Sequence, residues 1–192
     1  MNFLAHLFLA EDNARARVAN LMGDFVRGPI NPGWPAWMRQ GVELHRRIDA
    51  FTDQHPRVQR SRDRFSRRRR RYAGIVLDIC FDHYLSVHWA RFSDRSRKAF
   101  IHQCYDELRA YHEHLPAQMA KVTERLVAQD WLGAYADPQL IVHTLDRVAR
   151  RLRRPEPMLG AGEEFLQRYA ELEEDFLTFF PELCTWAEDQ RR

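Results

Sequence analysis

Five features between His6 and His83 bear on metal-dependent hydrolysis. His45 and Asp49, in HRRIDAFTD, are four residues apart, so on a helix they point the same way, one turn apart. Asp53 is a further four on, near where that helix should turn. Asp78 and Asp82, in LDICFDH, repeat the spacing among Leu77, Ile79, Cys80 and Phe81. Ionised carboxylates in so apolar a stretch are costly to bury unless they are paired or bind a cation. His83 follows directly and lies about 100° around a helix from Asp82. Asp24 interrupts the apolar run of LMGDFVRG, and His6 interrupts the apolar start MNFLAHLFLA.

Imidazoles and carboxylates together suit Mn²⁺, Fe²⁺ or Zn²⁺, and an oxygen-rich set leans towards Mn²⁺ or Mg²⁺. No thiolate pair is present to build a structural zinc site. A divalent metal can acidify water and polarise a phosphoryl oxygen, and Arg27, Arg46 and Arg47 are close enough in sequence to clamp a phosphate. Each feature also has a structural reading. A pair four apart on a helix is commonly a surface ion pair, and a single histidine in an apolar stretch is commonly a hydrogen-bonded core residue. The coincidence of all five favours chemistry.

Helices must position these groups, because no sustained period-two alternation or Asn-Gly or Asp-Gly hairpin occurs. GPINPGWP, from Gly28 to Pro35, is a loop, and the spacing after it predicts a helix over Trp37–Thr52. Tyr72–Phe92 reads as a long apolar helix with Ile75, Ile79, Leu85 and Trp89 facing inward. Ser93 is expected to cap a helix running to about His114, and Pro116 to start another reaching about Trp131. Asp137-Pro138 is an N-cap and N1 pair. Phe165, Tyr169, Leu172, Phe176 and Phe179 form the apolar stripe of a last amphipathic helix. The expected fold is all-α, one domain over residues 1–192.

The chain has 192 residues and a net charge of only +3, with 45% hydrophobic residues, enough for a sizeable core. Cys80, Cys104 and Cys184 are odd in number and widely spaced, which fits a reduced, cytoplasmic protein without a disulfide framework. The apolar start is too short to span a bilayer and has no basic segment before it. Lys98 and Lys121 are the only lysines; arginine supplies the rest of the positive charge. It is densest at Arg67, Arg68, Arg69, Arg70 and Arg71. On a helix five consecutive arginines would wrap every side, so some face solvent. Such a run is either a solvated face or a docking surface for an anionic partner. The anionic partner could be nucleic acid, a membrane surface or an acidic protein; no nucleic-acid module accompanies the run, which keeps an acidic protein open.

MNFLAHLFLA, GDFVRG, HRRIDAFTDQHP, LDICFDHYLSVHW and the late FLTFFP, in this order, resemble the acyl carrier protein phosphodiesterases. The resemblance covers nearly the whole chain and implies a divergent helical fold of the HD-domain phosphohydrolase type. It also implies an Mn²⁺-dependent cleavage of the phosphodiester joining 4′-phosphopantetheine to a serine of holo acyl carrier protein. The residues it carries over are His6, Asp24, His45, Asp49, Asp78, Asp82 and His83. From these the metal would be drawn among His6, Asp24, His45, Asp78 and Asp82. Asp24, Asp49 and His83 would serve the chemistry, and Arg27 and Arg46 the phosphate. Mg²⁺ and Fe²⁺ are alternative metals. The acidity of acyl carrier proteins would give Arg67–Arg71 a partner, with no nucleic acid or membrane involved. Two other functions fit the residues less fully: an HD-type hydrolase of nucleotides or other small phosphoesters, and a non-catalytic helical nucleic-acid-binding protein.

Overall fold

The run from Ala73 to Val87 is apolar on every side except at Asp78, Asp82 and His83, and it forms the helix around which the chain is built (α5, Ala73–Val87). A helix that is apolar all round must be covered all round. In the computed structural model, which describes residues 1–191, the covering helices come from both ends of the chain. Residue 192, the end of the expected domain, lies outside the described residues.

Helices α1 (Phe3–Leu9) and α2 (Ala14–Met22) precede a 3₁₀ turn at Gly23–Phe25 and the loop to α3 (Ala36–Gln54). After α4 (Pro56–Arg64) and α5 come α6 (Arg97–Ala110), α7 (Ala117–Ala128), α8 (Trp131–Ala134), α9 (Pro138–Ala149), α10 (Ala161–Gln167) and α11 (Tyr169–Arg191). There is no strand among the described residues. Helices α1, α4, α9 and α11 pack on α5, and α2 lies along α3. That last packing is close because Gly41 has no Cβ; one added there would stand 2.2 Å from the Cβ of Ala19. The apolar stripe of α11 meets α5 through Phe176 and Phe179 against Phe81, with ring centroids 5.5 and 5.7 Å apart.

Several boundaries differ from expectation for local reasons. The cap of α6 is Ser96, whose hydroxyl accepts from Ala99 N, while Ser93 sits in the preceding turn and accepts from Arg95 N. Trp89 Nε1 donates to the Arg95 carbonyl at 2.7 Å and holds that turn open. The apolar stripe from Phe165 is split between α10 and α11 at Arg168. The arginine run forms no α-helix: Phe65 is buried and ends α4, and residues 67–72 follow as turns and a 3₁₀ segment. Asp137 caps α9 as expected, accepting from Gln139 N. Ile75, expected inward, is 37% exposed.

No helix among the described residues is long and apolar enough to cross a membrane. All three cysteines are free thiols. Asp175 is buried in α11, where it accepts from Ser61 at 3.0 Å and from Arg64 Nε at 2.6 Å and so ties α11 to α4.

Candidate active site

Three side chains from two helices converge. His6 lies on α1, and His45 and Asp49 lie one turn apart on α3. Asp49 Oδ1 is 3.2 Å from His6 Nε2, and its Oδ2 is 3.1 Å from His45 Nε2. The two imidazoles stack with centroids 3.8 Å apart. One ligand atom from each of the three residues falls within 4.8 Å of the others. This is a His₂-carboxylate donor set close enough to share one metal ion.

The surroundings shift the protonation of these groups. Burial and the neighbouring His45 lower the His6 pKa to about 3, so its ring is neutral at ordinary pH. A neutral imidazole carries no proton that a metal would have to displace. His6 Nδ1 lies 3.1 Å from Asn20 Oδ1 and its Nε2 3.2 Å from Asp49 Oδ1; the single proton of the neutral ring serves one of these acceptors at a time. Burial alone would raise the Asp49 pKa. Hydrogen bonds from His45 and His6 and the positive charge at Met1 instead hold it well below the usual carboxylate range. The Met1 ammonium donates to Asp49 at 3.2 Å and to Asp78 at 2.9 Å.

Asp24 stands at the edge of this set, 3.8 Å from His45 Nε2. Partial desolvation raises its pKa to about 6 against the pull of His45, which makes it able to give or take a proton near neutrality. Its place depends on Gly23: a Cβ there would lie 2.1 Å from His45 Cγ and 2.5 Å from His45 Cβ. Both atoms are close to the α3 backbone, so the ring cannot swing clear. Gly23→Ala is therefore expected to displace His45 and to cut Mn²⁺ affinity roughly 10- to 100-fold, the range for disturbed ligand support. Titration calorimetry measures this, and unchanged affinity with native circular dichroism would contradict it.

The profile of the acyl carrier protein phosphodiesterase family matches residues 1–183. The chain belongs to the acyl carrier protein phosphodiesterase family. Relatives that carry this family name include proteins from Photorhabdus laumondii, 37% identical over 99% of this chain and 96% of its own length, and Salmonella agona, 34% identical over 97% of each. A third, from Klebsiella pneumoniae, is 34% identical over 100% of both chains. No solved structure matches. The segments HLFLA, GDFVRG and HRRID, on which the sequence resemblance rests, supply the residues that meet in space.

The other residues expected at the site are placed differently. Both Asp82 oxygens accept backbone N–H groups at the start of α1, from Leu4 at 2.7 Å and Ala5 at 3.1 Å. His83 is fully buried; its Nδ1 donates to the Tyr135 carbonyl at 2.7 Å and its Nε2 accepts from the Tyr169 hydroxyl at 2.9 Å. It lies outside the His6–His45–Asp49 set. Asp78 joins that set only through the Met1 ammonium. Arg46 donates to the carbonyls of Val26 and Gly28 at 3.0 and 2.6 Å, bracing the loop that carries the exposed Arg27.

Arg67–Arg71 has a partner segment the sequence did not reveal. Arg68 donates to the Glu156 carbonyl at 2.6 Å and Arg69 to the Leu159 carbonyl at 2.7 Å. Tyr72 Oη donates to the Arg154 carbonyl at 3.4 Å. These bonds set residues 154–159, which continue from the second basic run Arg150–Arg154, beside the first run, although more than eighty residues separate the partners in the chain. Arg69 is spent internally on Glu164. Arg67, Arg70 and Arg71 stay exposed.

Proposed function

We propose that this chain is a metal-dependent phosphodiesterase that hydrolyses the 4′-phosphopantetheine–serine phosphodiester of holo acyl carrier protein. The products are apo acyl carrier protein and 4′-phosphopantetheine. The observation that carries the reading is the convergence of His6, His45 and Asp49 within 4.8 Å in a chain of this family. The donor set fits a divalent transition metal: two imidazoles favour Mn²⁺ or Fe²⁺ over Mg²⁺. A cation held there supplies a Lewis acid that offsets phosphodiester charge and acidifies water.

The chain's own groups supply the rest. Asp49 neutralises part of the cation's charge and keeps both imidazoles aimed at one point. Asp24, with its raised pKa, accepts a proton from the attacking water and returns it to the departing serine oxygen. Arg27, between the two carbonyls that Arg46 braces, would meet a non-bridging phosphate oxygen. His83 acts at a distance by locking α5 to Tyr135 and Tyr169. The helical HD-domain type of architecture and a cytoplasmic location, to which the three free thiols point, belong to the same reading.

The substrate is an acidic protein, and the joined arginine segments are its docking face. Arg67→Glu with Arg71→Glu is expected to raise KM for holo carrier protein about tenfold at low salt, leave kcat nearly unchanged and weaken the salt dependence. Steady-state kinetics at two ionic strengths tests this, and an unaltered KM would remove the docking role. The reaction itself is tested by intact mass of holo carrier protein incubated with enzyme and Mn²⁺. Loss of the phosphopantetheine mass, blocked by a chelator, is the expected result. An unchanged mass would overturn the reading.

A further inference from the structure

A cleft of about 240 Å³ opens beside the metal-competent set, with Asp24 and Asp78 among its lining residues. One wall is α5, at Ile75 and Ile79, and the facing wall is α8 and α9, with Trp131, Thr144, Arg147 and Arg151. Nothing in the proposed hydrolysis uses these walls. They are nonetheless ordered for a ligand. The Arg147 guanidinium stacks over the Trp131 ring at 5.3 Å, and Arg147 donates to the Thr144 hydroxyl at 3.4 Å. Ile75 presents a large apolar side chain, 37% exposed, to the cleft.

A phosphodiester has two substituents, and both must leave the phosphorus in some direction. A folded carrier domain cannot enter 240 Å³. The volume also falls short of the roughly 300–1,000 Å³ typical of compact small-molecule sites. A slender chain with apolar stretches and a few amide and hydroxyl groups does fit between an isoleucine wall and a Trp-Arg-Thr wall. Resting on the function proposed above, we propose that this cleft holds the pantetheine arm. The arm's geminal methyl groups lie near Ile79, and its amides lie along Thr144 and Arg147. The carrier domain stays outside, on the arginine face that Arg151 adjoins. The cleft thereby sets specificity for the arm, while the His₂-Asp set acts on whatever diester reaches it.

Two variants close the cleft from opposite walls, Thr144→Trp on α9 and Ile75→Trp on α5; both positions are at least partly exposed, and neither belongs to the catalytic set. Binding of pantetheine, which lacks the phosphate, is read by ligand-observed NMR, and hydrolysis is read with holo carrier protein and with bis(p-nitrophenyl) phosphate, both with Mn²⁺. Each variant is expected to weaken pantetheine binding and to raise KM for holo carrier protein by about tenfold. The rate on the small diester should stay within about twofold, which also shows that the fold and metal site survive. Pantetheine binding and carrier KM that remain at wild-type values in both variants would overturn the cleft assignment. Failure of wild-type protein to remove the phosphopantetheine mass would overturn the function instead, and the pantetheine binding data would still decide the cleft.

Discussion

Asp49→Asn is expected to lower Mn²⁺-supported kcat/KM on holo carrier protein by about a thousandfold or more. The substitution keeps the shape of the side chain and removes its charge. In the native site each Asp49 oxygen faces a different imidazole, and one also accepts from the Met1 ammonium. Removing an outer partner of a metal ligand commonly costs 10- to 100-fold. Asp49 is closer in than that: it is the anionic member of the set and also the group that aims both histidines. Its loss leaves two imidazole rings stacked at 3.8 Å without the carboxylate charge that links them. Mn²⁺ affinity by calorimetry should fall together with the rate, while the helical circular dichroism spectrum persists. A variant that binds Mn²⁺ and turns over at the wild-type rate would remove Asp49 from the site.

The reach of sequence reasoning here follows from the distance over which each interaction acts. His45 and Asp49 were visible as a unit because one helical turn joins them, and the period of α3 fixes that geometry locally. His6 could be linked to them only through the family motif, since nothing in the spacing of the chain says that α1 crosses α3. Asp82 looked like a ligand because a buried carboxylate needs a partner. The requirement was read correctly, but it has two solutions: a cation, or backbone N–H groups at a helix start. The donors are Leu4 and Ala5, 78 and 77 residues away. Gly23 was invisible for the same reason, because its role is to leave room for a ring on another helix. The all-helical class was legible because periodicity is a local property. The arginine run resisted a helical reading because Phe65 ends α4 in the core and Arg69 turns inward to Glu164.

Asp82 carries the second large expected effect, on stability. Helix α1 has only seven residues, and its first turn has no side-chain cap of its own; Asn2 makes none. The four N–H groups that open a helix must find acceptors, and Asp82, 0% exposed, supplies two oxygens from the middle of α5. Asp82→Ala strands two buried donors and opens a small void, which is expected to cost about 2–4 kcal/mol in urea unfolding. Asp82→Asn keeps one acceptor and should recover part of the loss. Because α1 carries His6, the Ala variant should also need more Mn²⁺ for half-maximal rate yet approach the wild-type rate at saturating metal; a direct ligand would lose that rate outright. The pH dependence has a definite sign. Burial raises the Asp82 pKa to about 7 against the pull of the two N–H groups. An acid whose pKa is higher folded than unfolded binds its proton more tightly in the native state, so wild-type stability from this group falls as pH rises from the unfolded value towards 7. The variant has no such titration, so the gap between the two proteins should narrow from about pH 5 to about pH 8. A gap that widens over that range would mean that the ionised carboxylate, stabilised by the start of α1, is the favoured native form.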